Sequence, residues 1–234
     1  MRRMLIPALV LFPLLVHAEQ WQSSNTQTDV IELFTSEGCS SCPPADAFLS
    51  SLKNRDGVFR TFIPMAFHVD YWNYIGWKDR FASSEYSQRQ RRYARDGNIS
   101  QVYTPGFVIN SQEWRPWFRG KRNWETSNEQ VGNLTADLQG NRLKVNFADK
   151  TRNHLHVAYL GMGIETQVKA GENRGKTLTH DFVVLDVTTL PGEGEWQLKL
   201  PAAPDKGQQR TALAIWVSPT DSQQVLQAVG GYLE

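Results

Sequence analysis

Residues 30–46, Val-Ile-Glu-Leu-Phe-Thr-Ser-Glu-Gly-Cys-Ser-Ser-Cys-Pro-Pro-Ala-Asp, restrict this chain more than any other stretch. The apolar run Val30 to Phe34 reads as a buried strand, and Ser36-Glu37-Gly38 breaks it. Ala47, Phe48, Leu49 and Leu52 then repeat with helical spacing. Cys39 and Cys42 therefore fall in a turn at the mouth of a helix. A helix start leaves backbone N–H groups unpaired and presents the positive end of the dipole, and both stabilise a thiolate at Cys39. Pro43 and Pro44 suit a first turn, where a missing N–H costs least. These are the chain's two cysteines, so a second disulfide and a four-thiolate metal site are excluded.

The first residues bear on where such a pair would work. Met1-Arg2-Arg3, the apolar run Leu5 to Val16 and the small-residue ending Val16-His17-Ala18 have the form of a cleaved leader, so residues 1–18 are assigned to a signal peptide. The run is too short to span a membrane and is broken by Pro7 and Pro13. The expected mature protein is soluble, not membrane-embedded, and periplasmic or secreted. In an oxidising compartment a cysteine pair reads either as a structural disulfide or as a redox couple. A net charge of +1 gives no pull toward nucleic acid, and the basic run Arg89 to Arg95 reads as a solvated helix face.

Along the chain, residues 19–28 read as a loose polar lead-in, followed by a strand over 29–35 and a helix over 43–53. Phe62 to Val69 reads as a strand whose Pro64 marks an edge. The aromatic stretch 70–82 reads as a packed insertion or a substrate groove. A helix from about Ser83 ends at Asp96-Gly97-Asn98. Composition changes near residue 120. Gly140-Asn141 joins two alternating runs as a hairpin that pairs Leu138 with Leu143, Ala136 with Val145 and Leu134 with Phe147. Further strands over 155–160, 182–187, 196–200 and 211–217 suggest a β-sandwich. The predicted division is signal peptide 1–18, first domain 19–125 and β-rich domain 126–234.

The order strand, Cys-x-x-Cys helix, strand, helix, Thr104-Pro105, strand resembles the thioredoxin fold. The opening Glu32 to Asp46, with Phe67-His68-Val69-Asp70-Tyr71-Trp72, resembles more closely a family of exported bacterial thioredoxin-like proteins of unknown function. The resemblance implies an α/β fold class: a thioredoxin-like domain with the Cys-x-x-Cys at a helix N-terminus, then a sandwich-like β domain. It implies that Pro105 sits against the sulfurs and that Thr104 offers its backbone to an extended substrate. It also implies a strand acid near the second cysteine, for which Glu32 is the candidate proton acceptor. Glu113 to Gly120 departs from the pattern, since it makes a poor closing helix.

Three functions follow. The first is an exported thiol–disulfide oxidoreductase, reductase or isomerase-like, in which Cys39 attacks and Cys42 resolves, acting on protein thiols and disulfides, with a membrane-bound redox partner to supply electrons if it reduces them. The second is a non-catalytic binding or accessory protein whose disulfide is structural. The third is a metal-binding protein using Cys39, Cys42 and His68. Ser40 and Ser41 read as helix caps or as hydrogen-bond donors to a thiolate and to substrate. Glu37 reads as a solvated turn residue. His154 and His156 share a strand face expected to be exposed. The reading assigns no cofactor and no resident metal.

Overall fold

The computed structural model describes residues 18–234; the predicted leader lies outside them apart from Ala18. In chain order the strands are β1 (Ala18–Gln22), β2 (Asp29–Thr35), β3 (Phe62–His68), β4 (Gly106–Ile109), β5 (Gln112–Glu113), β6 (Leu134–Gln139) and β7 (Arg142–Phe147). They continue as β8 (Asn153–Met162), β9 (Ile164–Gln167), β10 (Thr177–His180), β11 (Val183–Gly192), β12 (Glu195–Lys199), β13 (Arg210–Pro219) and β14 (Gln227–Tyr232). Helix α1 (Pro43–Ser51) follows β2, and α2 (Ser84–Arg95) follows β3.

This architecture overturns the expected α/β fold class of a thioredoxin-like domain followed by a β-rich one. Among the described residues fourteen strands accompany two α-helices. One eight-stranded sheet, β14-β13-β8-β11-β3-β2-β4-β5, runs through both halves of the chain. The reason lies at β3. Pro64 marks β3 as an edge in the sequence, yet beyond the proline the Ala66 N–H donates to the Phe182 carbonyl at 2.8 Å and Val183 pairs with Ala66. That short parallel seam joins β11, and with it β8, β13 and β14, to the N-terminal strands. Where the sequence makes a poor closing helix, the chain forms β5 and a 3-10 turn, Arg115–Arg119, whose Trp117, with Trp114 before it, packs on Phe107.

Residues 19–22, expected as part of a loose lead-in over 19–28, instead join Ala18, assigned to the leader, in β1 and pair with β6. A second sheet, β1-β6-β7-β12, covers the Leu155, Val157, Leu213 and Ile215 side of the large sheet. The hairpin register is the one the alternation predicts: Leu134 opposite Phe147, Ala136 opposite Val145 and Leu138 opposite Leu143.

Two faces of β2 serve different layers, because successive side chains in a strand alternate. Thr35 faces α1 and donates to Asp46 Oδ1 at 2.8 Å. Glu32, three residues away, faces α2. There Arg89 holds both carboxylate oxygens at 2.7 Å and the Tyr93 hydroxyl donates to one of them at 2.7 Å. Helix α2 starts where the Ser83 hydroxyl accepts the Glu85 N–H, and Arg92 and Arg95 complement the negative end of its dipole. The Glu32–Arg89 pair is buried at both ends. Removing one charge would leave the other uncompensated, so Glu32→Gln is expected to lower unfolding free energy by about 3–5 kcal/mol. Urea denaturation checks this; an unchanged midpoint would mean that α2 docks without the pair.

Candidate functional site

Cys42 occupies the N-cap of α1 and is joined to Cys39 by a disulfide. Cys39 is 1% exposed and Cys42 fully buried, whereas Ser40 and Ser41 face solvent. No side chain caps the helix. The Ser41 hydroxyl instead lies 3.4 Å from Cys39 Sγ, and the Ser40 N–H donates to Glu172 Oε2 at 3.1 Å. Hydrogen bonding from Ser40 holds the exposed Glu172 carboxyl below the usual carboxylate range.

The loop after β9 closes over this turn. Asn173 is fully buried, and its Nδ2 donates to the Glu37 carbonyl at 2.8 Å and the Cys39 carbonyl at 2.9 Å. Lys176 Nζ donates to Asn173 Oδ1 at 2.9 Å and fixes the amide's orientation. Gly171, at φ 72°, lies against Trp77 of the aromatic insertion; a Cβ there would come within 3.2 Å of the Trp77 Cβ.

Thr104-Pro105 is a cis peptide, and Pro105 is buried. Pairing of Gly106 with Phe34 brings this segment to the end of β2, where the cysteine turn begins. The link is Trp72. Its indole N–H donates to Thr104 Oγ1 at 2.8 Å, and its Cβ lies where a side chain at position 38 would meet it at 3.0 Å, which calls for Gly38. Glu32, by contrast, is on the sheet face opposite α1 and bonds to Arg89 and Tyr93.

The acid groups nearest the cysteine turn are others. Glu37 is fully buried, not solvated: Trp77 Nε1 donates to its Oε2 at 2.8 Å, and His180 Nε2 stands 3.3 Å from its Oε1. Asp79 Oδ2 contacts His68 Nδ1 at 2.7 Å and accepts the Glu37 N–H at 2.9 Å, while Oδ1 accepts the Phe81 N–H. The His68 and His180 rings are 5.1 Å apart. Burial pushes Asp46 above the usual carboxylate range, against the attraction of His180 and His68 and the hydrogen bond from Thr35. Burial also opposes charge on His68 and Asp79. For His68, the charge and hydrogen bond of Asp79 outweigh it and raise the imidazole. For Asp79, the His68 attraction and its hydrogen bonds outweigh burial and lower the carboxyl.

Helical and strand periodicity could place His68, Asp46 and Glu37 near the cysteines. Asn173 and His180 carried no sequence signal, because they arrive from more than a hundred residues away. His68, weighed as a metal ligand, is turned to Asp79, and no group of three or more His, Cys, Asp or Glu among the described residues is arranged to hold a metal ion. His154 and His156, expected on an exposed face, are both half-buried; His156 is stacked on Trp216.

The His68–Asp79 pair has a pH signature. Asp79 adds stability above its ordinary value of 3.8, and this is lost as pH falls through its lower folded value. His68 adds stability below its ordinary value of 6.5, and this is lost as pH rises through its higher folded value. Asp79→Asn, with Glu37, Asp46 and His180 unchanged around it, is expected to cost about 3 kcal/mol between those ordinary values. Thermal melts across pH should show the gap to wild type narrowing at higher pH; a flat gap would mean that the pair is uncharged.

Residues 30–218 match the family model described as "Protein of unknown function (DUF1223)". No curated protein matches the chain. The crystal structure of protein AGR_C_4864 from Agrobacterium tumefaciens superposes with a TM-score of 0.65 at 25% identity, covering 89% of this chain and 95% of that one. HBP35 of Porphyromonas gingivalis superposes with a TM-score of 0.51 at 14% identity, covering 90% of this chain and 76% of that one, a likeness of fold alone.

Proposed function

The chain belongs to the DUF1223 family, and on that premise we propose a non-catalytic binding or accessory protein of an extracytoplasmic compartment, built on a structural Cys39–Cys42 disulfide. One observation carries the reading: the loop holding Asn173 is hydrogen-bonded across the cysteine turn, and both cysteines are buried. A macromolecular thiol must attack a disulfide sulfur along the S–S axis, and that approach needs an accessible sulfur. The disulfide ties the turn to the N-cap of α1 and so holds Glu37 inside the buried cluster. The leader-like residues 1–18 support export, and a disulfide persists in an oxidising compartment.

A second reading rests on the place of Cys42. Reduced, a thiolate at the start of α1 would be stabilised by the helix N-terminus, as thiol–disulfide exchange on extracytoplasmic proteins requires. A glutathione titration, with Cys39 and Cys42 counted by alkylation and mass, separates the two. The structural reading predicts a midpoint below about −300 mV. A midpoint in the range of about −120 to −230 mV would replace it with the exchange enzyme.

A further inference from the structure

The α2 side of the large sheet holds a two-chambered cavity remote from the cysteine turn. The inner chamber, about 120 Å³, is walled by Phe67, Tyr86, Val187 and Trp216. The outer one, about 360 Å³, opens past Arg92, His154 and Gln223. Arg89, Arg92, His156 and Thr189 line both, so the two are adjacent.

The polar groups there are biased toward donors. Trp216 is 1% exposed, and its indole N–H has no partner among the described residues, although it lines the inner chamber. His156 has both ring nitrogens engaged, by Thr189 and Ser218 at 2.9 Å each. Burial first, then its neighbours Arg89, His154 and Arg92, pull it down to about 3, so it stays neutral at physiological pH. Arg89 is neutralised by Glu32 and lies over the Trp216 ring at 5.6 Å. Arg92 is different: it is half-buried, its Nε donates to the neutral Gln223 amide at 3.0 Å, and it forms no ion pair among the described residues. Of the carboxylates there, Asp96 and Asp221 line the outer chamber and Asp96 pairs with Arg95, while Glu85 lines the inner one from an exposed position.

We propose that this cavity binds a small aromatic carboxylate, with the ring in the inner chamber and the carboxylate on Arg92. Phe67, Tyr86, Val187 and Trp216 give the inner chamber apolar walls beside the polar Glu85, Arg89, Arg92, His156 and Thr189, and its volume of about 120 Å³ is of the order that one ring needs. A carboxylate brings the acceptors that Arg92 lacks, and guanidinium pairs with it in a two-pronged geometry. The site goes beyond the structural-disulfide reading and does not depend on it, since no cysteine lines it.

Calorimetry on the mature, disulfide-intact chain with sodium phenylacetate tests the assignment, with 2-phenylethanol and sodium acetate as the uncharged and ring-less comparisons. The expected result is saturable one-site binding of phenylacetate and at least tenfold weaker binding of each comparison. Arg92→Gln should weaken phenylacetate at least tenfold with only a small drop in melting temperature from the lost dipole and Gln223 contacts. Val187→Phe, which fills the inner chamber from a half-buried position, should abolish binding and provides a second variant should the first fold poorly. The proposal is overturned by no saturable binding at millimolar phenylacetate, by equal binding of 2-phenylethanol, or by variants that bind as wild type does.

Discussion

A short parallel seam holds this structure in one piece. Beyond Pro64, β3 accepts one strand through the Ala66–Phe182 hydrogen bond, and the C-terminal strands follow from it. The seam is supported from both sides. Phe59 packs on Phe182 and Tyr232, and Lys53 beyond α1 pairs with Asp181 at 2.7 Å. Because β10 ends immediately before the seam, His180 is delivered to the cysteine turn. The loop between β9 and β10 is thereby set over Cys39. The closed disulfide is a consequence of how the sheet was extended.

The second consequence is electrostatic. Glu37, Asp46, His68, Asp79 and His180 are all buried around the turn that the disulfide ties. Charges so placed are stable only when paired and hydrogen-bonded, and breaking one pair costs more than making it gains. Asp79 meets this by accepting from His68 and from two backbone N–H groups. The arrangement fixes the turn's conformation from beneath, as Asn173 fixes it from above. On the other face of β2, Glu32, Arg89 and Tyr93 do the same for α2.

Local chemistry made much of this legible. The Gly140-Asn141 turn and the alternation on either side of it determine the β6–β7 register. Pro43-Pro44 and the apolar spacing after it place the cysteines at the start of α1. Residues 29–110 suggested a self-sufficient α/β unit because their own pattern contains nothing about β11; pairing over that distance leaves no local trace. Glu37 looked solvated for the same reason, since Trp77 and the β9–β10 loop that bury it are remote in sequence. For Glu32 the strand pattern shows which neighbours share its face, but not that α2 and Arg89 cover it.

Both residues of the Cys39–Cys42 disulfide are shut away from solution by the fold. The most direct measure of that closure is the rate at which dithiothreitol reduces the bond in the native protein, compared with the same chain unfolded in urea. The structure predicts a native rate slower by orders of magnitude, with Asn173→Ala falling between the two. A native disulfide that is reduced as fast as the unfolded one, or faster, would contradict the account and identify a bond that the fold activates.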